Sequence, residues 1–333
     1  MTDIMKFENA QNIAVVRTDK LGDMVLTLPL VKAIKSNFPD KTVSVIAQSY
    51  CKPLLKNSEY FDKCYFIDEF NKGLKDIFKI EKFDVAFFPR PVFDEALAAF
   101  TSGIKLRIGS AYRAYSILFN HKVRDHRKVS LFHEAEYNVR MLESITGAKY
   151  STELIRPFID EIGLQKMRSL LNNAEDKIKI IIHPGSGGSA RDLPIEKLID
   201  GLKAFANDSK FQFIITGIAS ESKICDDLHQ HLAQSLNFCG QLNLNEMIAL
   251  IELSDGMIAN STGVLHIAAS LSKQVIGFYP NSPHISQKRW GPYGTDSIII
   301  NPPMNENMRI SDDMNKIDCN DITKAVIKLF VKD

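Results

Sequence analysis

Apolar residues in this chain fall in short consecutive runs, not in strict alternation. In the first half they occupy 13–17, 43–47, 64–67, 84–89 and 106–109, several rich in β-branched or aromatic residues. Consecutive apolar positions mark strands buried on both faces of a parallel sheet, and the helical patterns between them imply βαβ units. A less regular, polar segment follows near 150–176. The rhythm then restarts, with strands predicted at 178–183, 211–216, 256–259 and 275–279 and helices at 195–206, 221–235, 244–254 and 262–271. The pattern predicts an α/β protein with two domains in tandem, and a final helix over 318–331 that crosses back to the first domain. Ligands of open α/β sheets bind beyond the carboxyl ends of the strands, so a two-domain version makes a cleft with one ligand held from each side.

The length agrees with that division, because 333 residues exceed what one hydrophobic core usually serves. A net charge of +1 excludes a globally basic nucleic-acid binder. Five scattered cysteines without a CxxC indicate neither a disulfide framework nor a zinc site, and suit a reducing compartment. No signal-peptide core and no apolar run of membrane-spanning length is present, which predicts a cytoplasmic protein, at most peripheral to a membrane.

Two polar turns carry the candidate chemistry. Ile258-Ala-Asn-Ser-Thr-Gly-Val-Leu-His266 runs from a strand through a small polar turn into a helix, presenting backbone N–H groups and the positive end of a helix dipole. His183-Pro-Gly-Ser-Gly-Gly-Ser-Ala-Arg191 follows another strand, and its glycines let a backbone approach a diphosphate while Arg191 supplies charge. Gly185, Gly187 and Ala190 match a dinucleotide fingerprint, but Pro194, read as the first helical residue, comes too late, and the next strand ends in Thr216-Gly217 without the ribose-binding acid. An ordinary turn remains an alternative for 185–188, and packing roles are favoured for His183 and His266. No metal-ligand spacing occurs.

In the first domain, Arg17-Thr-Asp-Lys-Leu-Gly-Asp23 places two carboxylates at the end of the first strand. Helix capping by Asp19 or Asp23 is the competing reading, and Pro29 must either kink the helix or begin a new one. Between 105 and 128 lie seven basic residues and one acid. Such a run is usually a solvated face.

These segments, with Thr27-Leu-Pro29, Arg107-Ile-Gly109, His133-Glu-Ala-Glu-Tyr-Asn138 and Arg289-Trp-Gly-Pro-Tyr293, resemble the glycosyltransferase family 9 heptosyltransferases. The resemblance spans nearly the whole chain. It implies a GT-B architecture, two Rossmann-like domains facing across a central cleft: 1–160 for the acceptor, 161–315 for the nucleotide-sugar, and a C-terminal helical segment at 316–333. It further implies an inverting, metal-independent transferase that needs no cofactor. A heptose would move from ADP-heptose to a lipopolysaccharide core acceptor, an anionic lipid-linked glycan, at the cytoplasmic face of the inner membrane.

By position in the motifs, Asp23 matches the catalytic base. Arg191 stands where the family usually has a phosphate-binding lysine, and Thr262, Gly263 and His266 match the phosphate-binding turn and its histidine. Ser261 replaces a frequent aspartate. His183, Gly185, Ser186 and Gly187 belong to the same donor site, with Glu221 as the acid that meets the ribose. On this reading the basic run supplies acceptor-binding Arg107, Arg113, Arg124 and Arg127. Transfer of another sugar, epimerisation of a nucleotide-sugar and non-catalytic nucleotide-sugar binding are the alternatives, with nicotinamide oxidoreduction last.

Overall fold

The structure is a computed structural model and describes residues 2–232, 234–304 and 310–331. Residue 233 of the expected 221–235 helix, 332–333 of the expected 316–333 segment, and residues 1 and 305–309 of the expected domains lie outside the described residues. The chain divides into two compact units, Met1–Phe158 and Ile159–Asp333.

The first unit contains, in order, α1 (Asp3–Glu8), β1 (Asn12–Val16), α2 (Leu21–Val25), α3 (Leu28–Asn37), β2 (Thr42–Ala47), α4 (Lys52–Leu55), β3 (Lys63–Phe66), α5 (Leu74–Ile80), β4 (Val85–Phe87), α6 (Phe93–Thr101), β5 (Leu106–Ser110), β6 (His121–Val123) and α7 (Glu134–Thr146). The second contains α8 (Glu161–Leu170), β7 (Ile178–His183), α9 (Ile195–Leu202), β8 (Phe211–Ile215), α10 (Ser222–His231), β9 (Leu236–Asn237), α11 (Leu244–Leu253), β10 (Gly256–Asn260), α12 (Gly263–Ser270), β11 (Gln274–Phe278), α13 (Gln287–Trp290), β12 (Ser297–Ile300) and α14 (Cys319–Phe330).

Each unit is built on a six-stranded, all-parallel sheet. The first runs β3-β2-β1-β4-β5-β6, and the second, read from its β9 edge, runs β9-β8-β7-β10-β11-β12. The strand order is the same in both. It reverses direction between β1 and β4 and between β7 and β10, and a crevice opens at the carboxyl ends of strands where the order reverses. The central strands are apolar and buried throughout, as with Ile13 to Val16 and Ile180 to Ile182, because helices cover both faces.

Pro29 begins a new helix: α2 ends at Val25, and α3 opens with Pro29 in its first turn, where the missing N–H costs nothing. Pro194 is the residue before α9, one position earlier than expected. The last helix, α14, packs its apolar face inside the second unit. Ile322, Ala325, Val326 and Phe330 lie in that unit's core, and the backbone of α9 comes close enough at Gly201 to leave no room for a side chain beside Ile322.

Candidate functional site

The sharp turn after β1 brings Arg17, Asp19 and Asp23 together. Arg17 is 4% exposed and reaches outward from the strand end. Its guanidinium donates to Asp19 at 2.6 Å (Nε to Oδ1) and 3.2 Å (Nη2 to Oδ2), and from Nη2 also to Asp23 Oδ1. Nη1 lies 3.7 Å from Glu134 Oε1, a buried carboxylate at the start of α7. Glu134 is bound in turn by Arg127 Nη1, which also donates to Asn138 Oδ1 at 3.0 Å. Asp23 does not cap: the residue before α2 is Lys20, and that helix start has no side-chain cap.

Burial raises the proton affinity of Asp23, and the neighbouring charges of Asp19 and Glu134 push the same way while Arg17 opposes them. The result is a carboxylate tied through one oxygen to a guanidinium that Asp19 holds as a fork, yet more basic than a free aspartate. Arg17 itself stays protonated, because its acids outweigh the cost of burying it. Arg17 and Glu134 complete the cluster although neither was singled out as a site residue; their signal was a charged residue inside an otherwise apolar strand end or helix start.

The four arginines expected to bind an acceptor do not behave alike. Arg107 donates to the backbone carbonyls of Leu118 (2.8 Å) and Ile104, with its guanidinium over the Phe100 ring, so it braces its own unit. Arg127 is engaged by Glu134 and Asn138. Arg113 and Arg124 remain on the surface.

In the second unit, β7 ends at His183 and β10 at Asn260, adjacent strands that deliver the two polar turns side by side. Asn260 ties them: its side chain accepts from Leu193 N at 2.9 Å and donates to Pro184 O. Ser189 Oγ adds a 3.3 Å bond to Ser261 O. The glycine loop has an unexpected occupant. Glu221 accepts from Gly187 N and from Ile218 N, both at 2.9 Å, so its carboxylate fastens the loop to the start of α10 and both oxygens are already engaged. Gly187 and Gly188 have φ of +57° and +74°, a region side chains disfavour.

The hydroxyl of buried Tyr279 donates to Trp290 O at 2.8 Å and has the Ser261 side chain beside it. Thr262 is extended and makes no side-chain cap, so α12 begins with its first backbone N–H groups uncapped by a side chain. Arg191 is 62% exposed, with Asp312 3.9 Å away, and is loosely held. His183 is neutral: burial pulls its pKa down to about 4, and Nδ1 shares a 2.9 Å hydrogen bond with Thr216. His266 is buried in α12. Beside the helix start lies a cavity of about 190 Å³ whose walls include His183, Thr216, Gly217, Phe238, Met247 and Val264. Most of these wall residues had no sequence signal, since an apolar residue lining a pocket looks like one in a core.

Two doubly wound units in tandem are the GT-B architecture, and a solved family 9 glycosyl transferase from Veillonella parvula shares it with a TM-score of 0.81 at 17% identity, over 97% of this chain and 98% of that one. The pattern described as glycosyltransferase family 9 (heptosyltransferase) matches residues 74–317. The chain belongs to this family and is a glycosyltransferase. A Haemophilus influenzae protein named provisionally as a glycosyltransferase is 27% identical over 343 residues, covering 97% of each chain. Lipooligosaccharide heptosyltransferase 2 of the same organism is 22% identical over 300 residues, covering 82% of this chain and 84% of its own. Among the described residues no helix is long and apolar enough to cross a membrane.

Proposed function

We propose that the protein transfers a heptose from ADP-heptose to a hydroxyl of a lipopolysaccharide core acceptor with inversion at the anomeric carbon. The observation that carries this reading is Asp23, a half-buried, Arg17-held carboxylate with raised proton affinity in a heptosyltransferase-family chain. Asp23 takes the proton of the acceptor hydroxyl as that oxygen attacks the anomeric carbon, and the bond to the diphosphate breaks on the opposite face. The departing ADP gains negative charge, which the uncapped start of α12 and the exposed guanidinium of Arg191 meet.

The cavity next to Val264 suits a nucleobase, with the neutral imidazole of His183 in its wall. Glu221 acts on the donor through the glycine loop it fastens, in place of the ribose contact that the family pattern suggests. Of the four arginines, Arg113 and Arg124 are the exposed ones, open to an anionic glycan at the cytoplasmic membrane face.

The test is transfer from ADP-heptose to a deacylated core acceptor, with the product anomer read by NMR. Asp23→Asn is expected to lower kcat by about a thousandfold while ADP still binds. Normal turnover in that variant removes Asp23 as base, and a strong preference for a UDP-sugar overturns the donor. Conversion of the nucleotide-sugar without acceptor makes the protein an epimerase.

A further inference from the structure

A second buried acid stands behind the Arg17 fork, and the reaction above gives it no role. Glu95 lies in the first turn of α6 and is 6% exposed. Its Oε1 accepts from the hydroxyl of Thr18, and its Oε2 is buried with no hydrogen-bond partner. A solvated glutamate would satisfy both oxygens with water, so this placement carries a cost that a surface position would avoid. Thr18 is the residue between Arg17 and Asp19. Its carbonyl accepts from Gln48 Nε2 at 3.2 Å, and the next carbonyl, that of Asp19, accepts from Tyr50 OH. Glu95 is thus one of three side chains, with Gln48 and Tyr50, that anchor the turn from which the fork projects, and the one that bonds a side chain of the turn.

We propose that Glu95 is a positioning residue for the transfer reaction: through Thr18 it fixes the turn that carries Arg17 and Asp19, and so sets the aim of Asp23. This inference rests on Asp23 being the base. The groups facing Glu95 are Thr18, Arg17 and Asp19 on the turn, Arg90 on the loop before α6, whose Nε is 3.6 Å from Asp19 Oδ2, and Tyr115, whose hydroxyl donates to Pro91 O. Arg17 and Arg90 are already engaged by aspartates, so an ionised Glu95 adds a negative charge that no cation is dedicated to match. Burial pushes the Glu95 carboxyl up to about 7, with Asp19 pushing the same way and Thr18, Arg90 and Arg17 opposing. The turn therefore works in two charge states across neutral pH. An ionised Glu95 faces Asp19 and Arg17, two of the groups that set the charge around Asp23, and on this proposal it favours the protonated form of Asp23.

Three variants test this. Glu95→Ala and Thr18→Val are expected to lower kcat about tenfold while the KM for ADP-heptose stays within about twofold. Glu95→Gln keeps an acceptor for Thr18 and is expected to restore kcat, but to lack the inflection near pH 7 that is expected of wild type. Wild-type kcat and an unchanged pH profile in both Glu95→Ala and Thr18→Val overturn the proposal. A second readout is independent of turnover: carbon-13 NMR titration of the Asp23 carboxyl in ligand-free protein, whose midpoint is expected to fall in Glu95→Gln. If Asp23→Asn turns over normally, the assignment of Asp23 as base fails by itself, and an unmoved Asp23 midpoint separately overturns the coupling to Glu95.

Discussion

A Cβ placed on Gly185 would stand 2.0 Å from Oε1 of Glu221, the oxygen that accepts from Gly187 N. The glycine is required by a carboxylate, and the carboxylate is what shapes the loop. Gly185→Ala must displace Glu221 and release the loop, so ADP affinity is expected to fall at least about tenfold in calorimetric titration with the overall fold retained. Glu221→Gln turns one acceptor into a donor facing a backbone N–H and is expected to show the same defect more mildly. Wild-type affinity in both would detach the loop from the nucleotide.

Arg17 stands among three acids, Asp19, Asp23 and Glu134. Arg17→Met leaves these carboxylates short of their central cation, and removing one partner of a buried ion pair costs on the order of 3 kcal/mol. Urea unfolding at pH 8 should show that loss, and the deficit should shrink toward pH 5 as Asp23, whose proton affinity is raised, takes up a proton. A change below about 1 kcal/mol at pH 8 would place the cluster among exposed pairs.

His183 links stability to pH with a definite sign. Its pKa falls from 6.5 to about 4 in the fold, so between those values the unfolded chain binds a proton that the native protein does not. The contribution is complete above pH 6.5 and is lost as pH drops toward 4. Thermal unfolding of wild type should therefore steepen with acidity over this window, and His183→Asn should flatten that limb; parallel curves would show that the histidine is not held neutral.

Gly201 sets helix propensity against packing. In a helix interior, alanine is favoured over glycine by about 1 kcal/mol. Here the added carbon would lie 2.6 Å from Cβ of Ile322, an atom fixed to the backbone of α14. Gly201→Ala is therefore expected to destabilise by about 1–3 kcal/mol in urea unfolding. A stabilised variant would show that α14 can shift at little cost.

The sheets were legible because their central strands are apolar at consecutive positions, as at Ile180, Ile181 and Ile182, a pattern that survives without knowledge of neighbours. The short edge strands β6, β9 and β12 and the helix α8 were not, since two to four residues at a sheet edge carry little periodicity and α8 sits in a polar segment. The turns around Asp23 and Asn260 announced themselves by small and charged residues at strand ends. Their partners did not. Glu134 reaches Arg17 across 117 positions of sequence, and Glu221 meets the glycine loop only because β7 and β8 are adjacent. The basic run shows the same limit in reverse: Arg107 and Arg113 look alike in sequence, yet one is committed to backbone carbonyls and the other to solvent.

The docking of α14 bears on how the protein is made. A ribosome releases the first unit well before it reaches residue 319, so that half can fold while translation continues. The second half cannot close: until Phe330 emerges, Gly256 and the floor of its sheet lie open, and the apolar groove along α9 is uncovered. Completion of the second unit's core is thus expected only at the end of synthesis, and a chain truncated before α14 is expected to expose apolar surface.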